Sequence, residues 1–261
     1  MLNKIVFTIA MVTVSVFSGI DTYAQPSSHE KENVKKDSVE HSVMLVPYDP
    51  RFYLSDSDRE IAEVSKKSPE LIRKRMHSRA EWYTYKAIKR KYPAVSLLQN
   101  DTIEAYIEAA EALFSNSNLL YAKPVLDAPA ALQLSLNKEV NKDAVDSRTA
   151  TKYLNENGRS QFMKADFRKK EVLESLYKQF GTDLFVFLTQ LEIKTNYKNC
   201  LDIANKIYQR EVMLHFTVYD RSGKLIGGNY AVAFIPSDVN NIDDIITTCF
   251  PELGEAIAST F

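Results

Sequence analysis

Hydrophobic and polar positions fall into blocks with different periods along the chain. Lys4 precedes a run from Ile5 to Ile20 in which every residue is apolar or small, and Thr22 and Ala24 then stand three and one residues before a cleavage point ahead of Gln25. This is the pattern of a cleavable signal peptide over residues 1–24, with an apolar core too short for a membrane span. Residues 25–42 are polar, charged with both signs and nearly free of apolar side chains, and are expected to form a disordered linker. A single domain is expected over residues 43–261.

Within that domain the period alternates between strand and helix. Val43 to Val46 is a continuous apolar run closed by Pro47 and Asp49-Pro50, and predicts a buried strand. Ser68-Pro69-Glu70 supplies a cap, a proline at the first helical position and an acid in the first turn. Ile72, Met76, Ala80, Tyr83 and Ala87 then keep one apolar face until Pro93 stops the helix. Val95 to Leu98 predicts a second strand. Asp101 is expected to cap the next helix, with Ile103, Tyr106, Ile107, Ala110, Leu113 and Phe114 inward. Residues 116–166 carry weak local signals, with Leu119 to Val125 and Ala130 to Leu136 each fitting a short helix or strand, and read as an insertion.

Val172, Leu173, Leu176, Tyr177 and Phe180 restore a helical face, and Gly181 stands where a left-handed cap is wanted. Leu184 to Leu188 predicts a strand extending through Ile193, followed by a polar loop from Asn196 to Asn205. Val212, Leu214, Phe216 and Val218 alternate with Met213, His215, Thr217 and Tyr219, which predicts a strand with one buried face. Asp220 to Gly223 turns the chain, and Leu225 to Ile235 returns with Gly227-Gly228 as a bulge. A final helix places Ile242, Ile246, Cys249, Leu253 and Ile257 inward, broken or kinked at Pro251. The fold class is α/β: a mixed sheet ending in an antiparallel hairpin, with helices packed on it.

Composition narrows the function. Hydrophobic residues make up 45% of the chain and charged residues 26%, with a formal net charge of −1, so global charge gives no argument for nucleic acid. Seven glycines are too few for a Gly-rich phosphate-binding architecture. The two cysteines, Cys200 and Cys249, permit one disulfide in an exported protein; the alternative is two small, separately placed thiols. No cysteine follows the expected cleavage point, so a lipid anchor is not indicated. Localisation is expected to be periplasmic or secreted.

Four stretches together carry a likeness: Val43 to Tyr48, Gly181-Thr182-Asp183 running into Leu184 to Leu188, Asp220 to Gly223, and the tail from Asp243. Their order resembles the periplasmic α/β domain shared by the amino-terminal part of TolB, the curli-export channel proteins and the lipoprotein activators of penicillin-binding proteins. The signal ending in Ala-Gln and the Lys/Asn/Tyr-rich style resemble exported proteins of Bacteroidetes. The resemblance implies a non-enzymatic envelope component that binds other proteins. It leaves 116–166 unexplained, and the lipid-bearing cysteine of the lipoprotein members is absent.

Candidate chemistry is sparse. His29, His41, His77 and His215 show no metal-ligand spacing, so neither metal nor cofactor is expected. His215 falls on the expected outer face of its strand. There is no Gly-x-Ser-x-Gly elbow. Asp56/Asp58 and Asp243/Asp244 fit helix starts. The local anomaly is basic: ten Lys/Arg but only Glu70 and Glu81 lie between Lys66 and Tyr92. Helical spacing projects Arg75, Arg79, Trp82, Lys86 and Arg90 to one side, away from Ile72, Met76 and Ala80. That stripe, carrying the chain's single tryptophan, is a candidate docking face for an acidic protein surface, a polyanionic glycan or anionic lipid headgroups. The expected function is an exported interaction or assembly component of a secretion or cell-wall complex. The rivals are an exported hydrolase whose acids converge from separate segments, and a structural protein that self-associates through 116–166.

Overall fold

The longest alternation in the sequence becomes the spine of the molecule. A computed structural model describes residues 41–125 and 161–261. The expected signal peptide, the linker up to residue 40 and the middle of the expected insertion, Ala130 to Leu136 included, lie outside the described residues. The elements are β1 (Val43–Val46), β2 (Tyr53–Ser55), α1 (Asp58–Ser65), α2 (Pro69–Lys89), β3 (Ala94–Ser96), α3 (Glu104–Asn116), β4 (Ser117–Ala122), β5 (Phe162–Phe167), α4 (Glu171–Phe180), β6 (Leu184–Asp202), β7 (Ile207–Asp220), β8 (Leu225–Pro236) and α5 (Ile242–Ala258).

The main sheet has the order β3-β1-β6-β7-β8, and β2 also pairs with β6. β1 runs parallel to both neighbours, with Val43 opposite Ala94 and Leu184. β2 continues along the same edge of β6, with Tyr53 opposite Leu191. β7 and β8 return antiparallel. The mixed sheet with its antiparallel end is the α/β architecture expected from the sequence.

Strand alternation sorts side chains onto two faces. Val43, Leu45, Val186, Leu214, Phe216, Ala231 and Ala233 face α1, α2 and α5. Met44, Val46, Phe185, Phe187 and Tyr219 face α3, α4 and β5. Both faces of β7 are therefore buried, which corrects the one-sided expectation and moves His215 inside, at 3% exposure. The reason is a second ladder, β4 with β5, in which Ser117 pairs with Phe167 and Ala122 with Phe162. The N–H groups of Met163 and Ala165 donate to His215 Nδ1 (2.9 Å) and Thr217 Oγ1 (3.1 Å). Their carbonyls accept from Thr189 Oγ1 and Tyr219 OH, both at 2.6 Å. Polar side chains on the sheet thus satisfy backbone groups that burial would otherwise strand. Because Nδ1 accepts, the proton of a neutral His215 sits on Nε2, on the side of Glu192 Oε1 at 3.6 Å.

Local signals explain most boundaries. Ser68 Oγ accepts from Leu71 N–H to start α2. Gly181, at φ 71°, ends α4 in the left-handed region. Five details differ from expectation. Asn196 to Asn205 is not all loop: β6 runs on to Asp202 through a bulged register with β7. α3 is capped at Ile103 rather than Asp101, and Ile103, Ile107 and Phe114 are exposed because the helix turns Ala109 and Leu113 inward. The ends of 116–166 are the paired strands β4 and β5. The bulge falls at Ile226, between the Tyr219–Leu225 and Val218–Gly227 pairs, whereas Gly227 and Gly228 pair regularly; Gly228 leaves room for the Phe162 ring, which would lie 2.4 Å from any Cβ there. α5 continues through Pro251 from Ile242 to Ala258.

α5 lies alongside α2 in the same direction, since Arg75 pairs with Asp243 near both starts and Arg90 with Glu255 near both ends. The closest approach is at Gly254, where an added Cβ would stand 2.7 Å from the Tyr83 carbonyl oxygen. Backbone cannot step aside as a flexible side chain can. Gly254→Ala is therefore expected to lower stability by about 1–3 kcal/mol, read as a lower urea midpoint with unchanged slope; an unchanged midpoint would contradict this packing.

Candidate functional site

The basic stripe of α2 is divided by its surroundings. Ile72, Met76, Ala80, Thr84, Ala87 and Ile88 are buried against the sheet and α5. Arg75 and Arg90 lean toward α5 and pair with Asp243 and Glu255. Arg79, Trp82 and Lys86 point to solvent on the intervening turns, with Trp82 38% exposed. Neither Arg79 nor Lys86 has a carboxylate within salt-bridge distance among the described residues. The expected five-residue face is thus a three-residue centre with its two end cations engaged in holding the helix.

Beside that centre runs an open groove of about 400 Å³, bordered by Leu71, Lys74, Arg79 and Trp82, with Arg75 also in its lining, and reaching Ser78 and Gln99. Leu71 is 48% exposed, so apolar and cationic groups alternate along the rim. The Trp82 and Tyr85 rings lie 6.3 Å apart, and Lys89 Nζ stands 5.3 Å from the Tyr85 ring centre. Such a rim is able to combine apolar contact, cation–π attraction and attraction for anions.

Beneath the groove lies a carboxylate that the charge count alone did not distinguish. Glu81 is fully buried; it accepts hydrogen bonds from Ser96 Oγ and from Gln99 Nε2, the latter at 2.7 Å. Glu81, Thr84 and Ile88, three and four residues apart, share the inward face, and that spacing is the sequence signal that singles it out. Burial pushes its pKa above the ordinary 4.5, against the opposing pull of Ser96 and Gln99. The folded protein then holds this proton more tightly than the unfolded chain does. The associated stability is full below pH 4.5 and is lost as pH rises through the folded pKa. Glu81→Gln is expected to flatten the decline of the urea midpoint from pH 4.5 upward; parallel wild-type and variant profiles would contradict this assignment.

The remaining candidates are dispersed. Cys200 and Cys249 are both free thiols. Cys200 is exposed on the outer end of β6, whereas Cys249 is wholly buried in α5, where burial pushes its thiol up to about 12. His77 donates through Nε2 to the Tyr48 carbonyl at 2.7 Å, and burial lowers its pKa. No cluster of three or more potential metal ligands occurs among the described residues. Asp56, Asp58 and Glu192, from separate segments, do meet around an open depression of about 430 Å³ with Arg73 and Lys194. Asp58 accepts from Tyr53 OH at 2.6 Å, and Asp56 accepts from Thr195 N–H at 2.8 Å. Ser57, in contrast to the expected capping use of this stretch, makes no side-chain cap to α1.

No family model matches this sequence, and no curated protein matches it. Among solved structures it is similar to lipoprotein GNA1162 from Neisseria meningitidis, at 12% identity and a TM-score of 0.30, covering 79% of this chain and 93% of that one. At this identity and score the likeness assigns neither a family nor an activity.

Proposed function

We propose that this chain is an exported, non-enzymatic envelope protein that serves as an interaction or assembly component, and that it docks an acidic protein surface through Arg79, Trp82 and Lys86. The observation that carries the reading is the division of labour on α2. Arg75 and Arg90 are held by α5, while the two cations and the tryptophan between them face outward beside an open groove. Cations at a rim speed encounter with an acidic partner, and a partly exposed indole supplies apolar contact once the partner is seated. The location follows from the leader expected at residues 1–24. A polyanionic glycan or lipid headgroup is the alternative anion.

The rival hydrolase would use the depression holding Asp56, Asp58 and Glu192. Docking is preferred because Asp56 and Asp58 are already hydrogen-bonded to Thr195 and Tyr53, positions that join β2 and α1 to the sheet.

Arg75 is unsuitable for a test, since changing it also disturbs the contact with Asp243. The combination Arg79→Glu, Lys86→Glu and Trp82→Ala is expected to reduce recovery of the crosslinked partner complex on the order of tenfold while leaving the urea midpoint unchanged. Undiminished recovery in a folded triple variant would sink the proposal.

A further inference from the structure

β6 and β7 run past the rest of their sheet. β2 follows β6 only as far as Ile193, and β8 follows β7 only back to Gln209. Ser237 still holds Tyr208, donating its N–H to the Tyr208 carbonyl at 2.8 Å and accepting from the Tyr208 N–H at 2.9 Å; past it, among the described residues, the two strands have each other, with Cys200 opposite Tyr208 and Asp202 opposite Ile207, and they are joined by a turn at residues 203–206. At roughly 3.3 Å per residue the turn stands about 7 Å beyond the sheet.

Its surface is unusual for a projection into water. Ile203 is 85% exposed, Tyr197 70% and Leu201 41%. Tyr197 packs against Tyr208 with ring centres 5.2 Å apart. Lys194, Lys198 and Lys206 are exposed on the same hairpin. The acid at the tip, Asp202, holds the turn together: it accepts from the Asn205 N–H at 3.0 Å and from Asn205 Nδ2 at 2.7 Å, bonds that lower its pKa and keep it anionic. Three exposed lysines against this one aspartate leave the hairpin cationic on balance around its apolar end.

We propose that this hairpin is a peripheral membrane contact that seats Leu201 and Ile203 at the acyl boundary of an anionic lipid surface. Three observations select lipid over a protein groove. The tip is a projecting turn, Ile203 stands in it with Leu201 next to it, and Lys198 and Lys194 follow behind while Lys206 flanks the turn. Apolar groups enter about 5–10 Å below the headgroups, a depth the projection matches. The tyrosine pair falls at headgroup level, where amphipathic rings are favoured, and lysines close to that plane are attracted to anionic lipid. No helix among the described residues is long and apolar enough to cross a membrane. The proposal is independent of the α2 docking surface.

Cys200 supplies the probe, being exposed on the hairpin while Cys249 is buried. Protein recovered from cells expressing the full chain is labelled at Cys200 with an environment-sensitive fluorophore. It is then mixed with vesicles of phosphatidylcholine and phosphatidylglycerol in equal parts, or of phosphatidylcholine alone. The wild type is expected to sediment with the anionic vesicles and shift its emission to the blue. Leu201→Asp with Ile203→Asp is expected to weaken binding on the order of tenfold, and Lys194→Glu with Lys198→Glu to remove the preference for anionic vesicles. Arg79→Glu with Lys86→Glu keeps the binding. A wild type that does not sediment, a probe that stays water-like, or a folded tip variant that binds as well as wild type overturns the proposal; so does loss confined to the α2 variant.

Discussion

Gly254 lets the backbone of α5 come against the Tyr83 carbonyl of α2, and the orientation of α2 follows from that approach. A helix this basic repels itself and gains little from its own charges. It is held by burial of Ile72, Met76, Ala80, Ala87 and Ile88 and by the fit of one glycine against the neighbouring backbone. The Arg75 and Arg90 pairs are partly exposed, a setting in which ion pairs contribute about 0–1 kcal/mol; they fix rotation more than they add stability. Once the rotation is fixed, the residues that emerge on the outer turns are Arg79, Trp82 and Lys86.

The opposite face of the sheet is governed by hydrogen bonding. β5 brings backbone groups against a buried surface, and they require partners there. Thr189, His215, Thr217 and Tyr219 supply them. This accounts for polar residues in the middle of long strands, and for a sheet buried on both sides despite antiparallel strands. The two faces divide the molecule: one fixes α2 through apolar contact, the other carries β4 and β5 through polar contact. The outer end of β6 and β7 belongs to neither, so among the described residues no element buries its exposed apolar side chains.

Much of the architecture was legible where a single local period sufficed. The run at Val43, the Ser68-Pro69 start, the Gly181 cap and the alternation from Val212 each produce the element they predict. Misreadings arise where a distant segment decides. The polar positions of β7 look solvent-facing until β5 is placed on them. Asn196 to Asn205 looks like a loop because its strand has a partner on only one side. Helical spacing put Arg75 and Arg90 on the outer stripe, yet their long side chains reach Asp243 and Glu255, nearly 170 residues away along the chain. Arg79, Trp82 and Lys86 face outward because no such partner lies within reach among the described residues. A tally of acids does not separate Glu81 from Glu70, yet the spacing of Glu81 with Thr84 and Ile88 marks the buried side.

The proposed seat for a partner is the turn of α2 carrying Trp82. A photoreactive residue placed at position 82, and separately at the exposed Glu108 of α3, tests it in intact cells. The account predicts a discrete adduct from position 82 that position 108 does not form, and that is lost when Arg79 and Lys86 are both changed to Glu. No adduct from position 82, or the same adducts from both positions, would contradict it.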